Sequence, residues 1–214
     1  MRNIDLATWP RRRHFALFTG FDHPHFGMCA NVDITAARAA LKERGLPFTP
    51  VMTWLLARAA NAIPEFRLRI RASAAGLEVV EHDRVHPSPT VLPEDGLFGF
   101  CTLPYHPELQ RFLPEAQARL REATLHPSLD DVPETDDLLY MTCIPWVSFT
   151  AVQHPTHQQA LDSIPRIAWG RFFEEADRLR MPLAVQGHHA LMDGVHLGRY
   201  YALVQELLDQ PGSW

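Results

Sequence analysis

Cysteine is scarce: Cys29, Cys101 and Cys143 are the three in a chain of 214 residues. They are isolated and odd in number, which excludes a disulfide framework and the paired spacing of a zinc knuckle and leaves them as buried thiols. Long apolar runs are missing too, so no segment reads as a bilayer span. The opening stretch MRNIDLATWPRRRHF carries an acid and has no apolar h-region. It does not read as a secretory signal, and a cytoplasmic protein is expected. The formal net charge is only −5, with acids and bases mixed along the chain. That balance leaves no electrostatic footprint for nucleic acid or for an anionic membrane. Repeats and low-complexity stretches that could mark a linker are absent, so one domain over residues 1–214 is expected.

Hydrophobic residues make up 46% of the chain and charged residues 21%, ordinary usage for a globule large enough to bury a core without metal or disulfides. Prolines punctuate short elements. Thr49-Pro50 before VMTWLLARAANAI reads as an N-cap and first-turn proline opening a largely buried helix. The preceding helix, TAARAALKERG, ends at Gly45, which suits a left-handed C-terminal cap. Strand signals are FGMCANVDI near residue 30, FRLRIR from Phe66, LEVV from Leu77, LFGFCTL from Leu97, WVSFTAV from Trp146, RIAWGRFF and PLAVQG. Helical patterns cover residues 107–123 and 194–209; in the second, Leu197, Tyr200, Tyr201, Val204, Leu207 and Leu208 form one apolar stripe. The elements mix without strict βαβ alternation. The expected fold is therefore α/β of the α+β two-layer kind, a mixed β-sheet with helices packed on one face.

Chemistry concentrates in residues 183–199, LAVQGHHALMDGVHLGR: an apolar strand, two adjacent histidines, a short turn, and Asp193-Gly194 opening an amphipathic helix. Imidazole titrates near neutrality, so a histidine held at a strand end beside a loop can take a proton from a hydroxyl. Two other readings compete. Asp193 can be a plain N-cap with the histidines satisfied locally. Alternatively His188, His189, Asp193 and His196 can be metal ligands, although neighbouring strand residues point to opposite faces and converge poorly. His23, His25 and Cys29 make a weaker metal cluster without an evident fourth ligand. The run Arg11-Arg12-Arg13 reads as a solvated basic patch unless one of its members has a specific partner.

The string HHALMDGVH matches HHxxxDGxH at every fixed position and so resembles the signature of chloramphenicol acetyltransferases. The resemblance runs in order along nearly the whole chain, through WPRRRHF, FTPVMTWLLARAAN, PEFRLRI, FGFCTLPY and IPWVSF to ADRLRMPLAVQGHHALMDGVHLGRY. It implies a CoA-dependent acyltransferase fold and an O-acetyltransferase using acetyl-CoA as co-substrate, without a metal. It further implies His189 as the general base and Thr142, in MTCIPW, as the hydroxyl that holds the oxyanion. Asp193 is implied to pair with Arg11 and hold the active-site loop, with Gly194 easing the turn into the helix. Phe18 and Phe98 fall at acceptor-binding positions and Trp146 at a cofactor-binding one. A water-positioning threonine of the family falls on Ala168. The implied partners are a small alcohol, chloramphenicol or a similar acceptor, and two further copies of the chain in a homotrimer with sites at the subunit interfaces. Thr142 and Ala168 leave open a catalytically weakened small-molecule binder on the same scaffold, and the FDHPHF segment leaves open a different hydroxylated acceptor.

Overall fold

The computed structural model describes residues 1–74, 76–94, 96–129, 135–156 and 161–214. In chain order the elements begin with β1 (Arg2–Ile4), α1 (Arg12–Phe18), β2 (His25–Asp33), α2 (Thr35–Glu43) and α3 (Phe48–Asn61). They continue with β3 (Leu68–Ser73), β4 (Gly76–Glu81), β5 (His86–Val91), β6 (Gly99–Phe100) and α4 (Leu109–Leu125). The last are β7 (Leu138–Ile144), β8 (Arg166–Gly170), β9 (Phe173–Glu175), β10 (Arg178–His188) and α5 (Gly194–Asp209). The large sheet runs β2-β10-β8-β7-β5-β6, with β9 beside β10; a small sheet runs β1-β4-β3.

The large sheet is mixed: β5, β7 and β8 run parallel, while β10 pairs antiparallel with β2, β8 and β9. One face takes α2, α3, α4 and α5, and the core lies between, with Trp54, Leu56, Ile167, Trp169, Leu183 and Tyr200 all inaccessible. This is the expected two-layer α+β arrangement. A second apolar cluster joins Phe15 of α1, Leu68, Ile70 and Val79 of the small sheet, and Ala190 and Leu191 just past β10. The N-terminal segment and the small sheet are thereby fixed beside the turn that carries the paired histidines.

α5 spans the expected residues 194–209, because its apolar stripe has the 3.6-residue period and Asp193 caps its start. α2 ends at Glu43, and Gly45 takes the left-handed conformation, φ +62°, with Leu46 N–H bonded back to the Leu41 carbonyl. α3 begins at Phe48 with Pro47 as its N-cap, so Thr49 is not the cap. Pro50 is tolerated as the third helical residue because an amide there has no intrahelical acceptor in any case.

The larger departures concern strands. WVSFTAV forms no strand; Trp146 and Val147 stand on the surface, and the strand is the preceding LLYMTCI, β7, in the middle of the sheet. HPSPTV, with two prolines, is β5. The Leu97 segment contributes only the two residues of β6. The last two facts share one cause. Leu103 N–H donates to Pro87 O at 2.8 Å and Cys101 N–H to Pro89 O at 3.0 Å, so residues 101–103 do lie along β5. Neither proline can return a bond, and the ladder there is half made.

Candidate active site

β10 stays paired with β2 up to His188, which faces His25, and the chain then turns within four residues into α5. Leu191 and Met192 amides both return to the His188 carbonyl, at 2.9 and 3.2 Å. The turn folds so tightly over its own strand that a Cβ on Gly187 would lie 2.3 Å from Met192 Sδ. A side chain on Gly187 would therefore force the buried Met192 side chain to move. Gly194, expected to ease the turn, has open space around a Cβ and is not in the left-handed region, so the geometry does not depend on it.

Arg11 closes the turn from the other side. Its Nη1 donates to Asp193 Oδ2 at 2.7 Å, Nε to the Ala190 carbonyl at 3.0 Å, and Nη2 to the His189 carbonyl at 2.8 Å. Arg12 and Arg13 are exposed. Asp193 in turn accepts from Val195 N–H, while its own N–H donates to His196 Nδ1 at 3.0 Å, a capping box with histidine in the reciprocal role. Burial pushes the Asp193 carboxyl upward, but the hydrogen bond and charge of Arg11 and the Val195 N–H hold it below its ordinary value.

Three histidines of the motif point to three places. His188 is buried, accepts Ala190 N–H on Nδ1 at 3.1 Å, and sits edge-on to His25 with ring centroids 5.2 Å apart. Burial first, and then its neighbour His25, lower its pKa from 6.5 to about 4. His196 caps α5 and brings Nε2 to 3.4 Å from Glu65 Oε1. His189 is half-buried, with its imidazole stacked between Phe18 and Phe26 at centroid distances of 4.0 and 4.3 Å. Its Nδ1 lies 3.0 Å from the Met192 carbonyl, and its amide is anchored to the Pro24 carbonyl at 2.8 Å. A carbonyl oxygen can only accept, so Nδ1 carries the proton and the lone pair is left on Nε2. Among the described residues no group of three or more His, Cys, Asp or Glu is placed to hold a metal ion, the His23/His25/Cys29 cluster included.

Thr142 lies elsewhere, half-buried on β7, in the wall of a cavity of about 380 Å³ together with Phe98, Phe100, Tyr140, His154 and Arg166. A neighbouring cavity of about 290 Å³, lined by His23, His25, Cys29 and Gln186, shares His154 with it. Both open on the sheet face opposite the helices. Ala168 separates Thr142 from Ala184 in the register, and it is fully buried. Phe98 and Trp146 are 51% and 67% exposed, large aromatics presented outward beside this cavity and just past β7. His189 lines neither cavity. From Thr142 the register crosses two strands to Ala184, and His189 is five residues further on. At about 4.8 Å per strand and about 3.3 Å per residue, Thr142 and His189 are on the order of 19 Å apart within one chain.

Sequence reasoning brought Arg11 to the histidine turn and placed Phe18 only at an acceptor-binding position, whereas its ring stacks on His189; it missed Phe26, Pro24, Met192 and Gly187. Met192 and Pro24 act through backbone carbonyls, which leave no side-chain signature. Gly187, directly before the paired histidines, did carry a signal: an isolated glycine at a strand end marks a close approach of another part of the chain.

A family model described as chloramphenicol acetyltransferase matches residues 1–205. Chloramphenicol acetyltransferase 2 of Escherichia coli is 34% identical over 211 residues, covering 96% of each chain. Chloramphenicol acetyltransferase 2 of Haemophilus influenzae is 32% identical over 210 residues, again covering 96% of each. A solved chloramphenicol acetyltransferase superposes with a TM-score of 0.83 at 27% identity, covering 97% of this chain and 100% of the other. The Azotobacter vinelandii dihydrolipoamide acetyltransferase superposes at 0.67 with 18% identity over 89% and 83% of the two chains, a likeness of fold alone. Among the described residues no helix is long and apolar enough to cross a membrane.

Proposed function

Since this chain belongs to the chloramphenicol acetyltransferase family, we propose that it moves an acetyl group from acetyl-CoA to a hydroxyl of chloramphenicol or of a similar small alcohol. The observation that carries the reading is the hydrogen bond from His189 Nδ1 to the Met192 carbonyl, which turns the basic nitrogen, Nε2, outward from its own loop. Nε2 takes the proton of the acceptor hydroxyl, and the oxygen attacks the thioester carbonyl carbon. The carbon–oxygen bond forms, the carbon–sulfur bond breaks, and the imidazolium returns its proton to the departing CoA thiolate. Thr142 donates its hydroxyl to the oxyanion of the intervening tetrahedral adduct. Phe18 and Phe26 hold the ring plane by stacking; Arg11, Asp193 and the capping box hold the loop that carries it. Phe18 and Phe98 contact the acceptor, and the exposed Trp146 receives the cofactor.

The separation of His189 from Thr142 within one chain supports an assembly in which His189 of one subunit faces the Thr142 cavity of its neighbour, as a closed ring of three copies provides. Thiol release from acetyl-CoA in the presence of chloramphenicol tests the reaction. Wild type is expected to turn over and His189→Ala to lose at least ~10²-fold, the scale of a missing general base. Full activity in His189→Ala contradicts the assignment.

A further inference from the structure

The open face of the large sheet carries an unusual row. The register places Gln186, Arg166, Tyr140 and Ser88 side by side across β10, β8, β7 and β5. Strand alternation puts Tyr140 and Arg166 on the same face as Thr142 and Ala168, one step along the strands. Arg166 is the charged member, and its side chain is only 8% exposed although it lines the cavity that holds Thr142. Its Nη2 donates to both carboxylate oxygens of Asp162, at 2.9 and 2.7 Å, and its Nη1 to the Ile164 carbonyl at 3.0 Å. The guanidinium lies over the Tyr140 ring, 5.6 Å from its centroid. Its Nε makes no hydrogen bond among the described residues.

A buried ion pair adds little to stability compared with apolar residues of the same volume, because desolvation offsets the attraction. Its presence in a pocket wall has a clearer consequence for recognition. An immobilised guanidinium with unengaged N–H groups favours a ligand oxygen and leaves an apolar group in its place with an unanswered donor. Asp162 already neutralises the charge, so a second carboxylate against Arg166 bears a desolvation cost that little net attraction offsets. A neutral oxygen, as in an amide, ester or nitro group, does not. Arg166 lies one strand across and two residues along from Thr142, about 8 Å by strand geometry. Phe98 and Phe100, edge to face at 5.7 Å, flank the same cavity.

From this geometry we infer that Arg166 is a specificity-determining residue: it anchors a neutral hydrogen-bond-accepting oxygen of the acceptor in the cavity that holds Thr142. The inference rests on the acetyl-transfer reading and on the geometry of the Arg166–Asp162 pair. Three acceptors of one shape test it: 4-(hydroxymethyl)benzamide, 4-methylbenzyl alcohol and 4-(hydroxymethyl)benzoate. Wild type is expected to prefer the amide over the methyl compound by roughly tenfold or more in kcat/KM, the scale of a hydrogen bond to a charged group, and to disfavour the carboxylate. In Arg166→Gln the preference for the amide is expected to collapse. Because Arg166→Gln removes the Arg166 ion pair from the buried Asp162 carboxylate, the double variant Asp162→Asn with Arg166→Gln removes both charges together and is expected to lose the preference equally. Equal use of amide and methyl acceptors by wild type, or an amide preference that survives in both variants, overturns the assignment; a wild-type preference for the carboxylate overturns its neutral character. Calorimetric binding of the amide without acetyl-CoA separates this from the reaction itself: binding lost in the double variant but kept in His189→Ala supports the subsite even if no thiol is released, and binding kept in both overturns it.

Discussion

Two polar regions of this molecule sit within a few strands of each other and are built in opposite ways. In the turn from His189 to Asp193, Arg11 answers two carbonyls and a carboxylate, His196 answers the Asp193 amide, and Met192 answers the imidazole. On the open sheet face, the Nε2 atoms of His25, His154 and His188 are buried and have no hydrogen-bond partner among the described residues. A satisfied network holds one geometry; buried polar groups left unmatched cost on the order of 1–3 kcal/mol each and are where a structure yields first. On the proposed reading the turn is the rigid mount for His189, and the open face is where acceptor choice and sensitivity to conditions would reside.

The largest effect that sharpens this contrast is expected on the open face. Thr142→Val keeps the shape and removes the donor, and steady-state kinetics should show a loss of about 10²-fold to 10³-fold in kcat with little change in melting temperature. A comparable loss of stability would place Thr142 with the structural residues instead.

Acid comes next. Burial, then His25, hold His188 at about 4 in the folded protein against an ordinary 6.5, and burial also lowers His25 and His154. A depressed folded-state pKa favours the neutral ring, so the stability it confers is complete above pH 6.5 and is lost as pH falls toward 4. The His188 difference alone amounts to on the order of 3 kcal/mol. Denaturant melts at pH 7 and pH 4.5 should show the loss, and His188→Asn should flatten it. An equally steep profile in that variant would assign the acid sensitivity to other groups.

Breaking the turn from its own side is expected to cost less. Asp193→Asn removes the charge opposite Arg11, yet Asp193 is 31% exposed, so solvent screening limits the loss to about 1–2 kcal/mol. For a chain of this size that lowers the melting temperature by roughly 2–8 °C, with activity falling alongside as the loop loosens. Unchanged stability would argue that the Arg11 contact contributes nothing net. A matched pair of similar or smaller size closes the series: Gly187→Ala should destabilise by about 1 kcal/mol as the Met192 side chain shifts, whereas Gly194→Ala should be neutral or stabilise the start of α5 by up to about 1 kcal/mol.

The same contrast governs how much could be seen without a structure. α5, α2, β2 and β4 were legible because each follows one local rule, an apolar period or a cap, and local rules survive into the fold. β5 was not, because its two prolines argue against a strand and only the sheet context, with β7 on one side and a half-made ladder on the other, makes one possible. WVSFTAV misled for the converse reason: its β propensity is real, yet Trp146 and Val147 are displayed outside the sheet. At the site, the histidine motif and Arg11 were visible as side-chain types. The contacts that fix the tautomer and ring plane of His189 come from a carbonyl at Met192 and from Phe26, and the polar row through Arg166 appears only once strand register is known.

The central claim is that the imidazole of one copy serves the Thr142 cavity of another, and mixing two inactive variants tests it directly. Each of His189→Ala and Thr142→Val alone is expected to keep only a small residual activity. Co-refolded in equal amounts into mixed rings, they should regain roughly a quarter of wild-type sites, those pairing an intact His189 from one subunit with an intact Thr142 from the next. Activity no greater than the sum of the two separate variants, in preparations shown to contain mixed assemblies, would contradict a site shared between subunits.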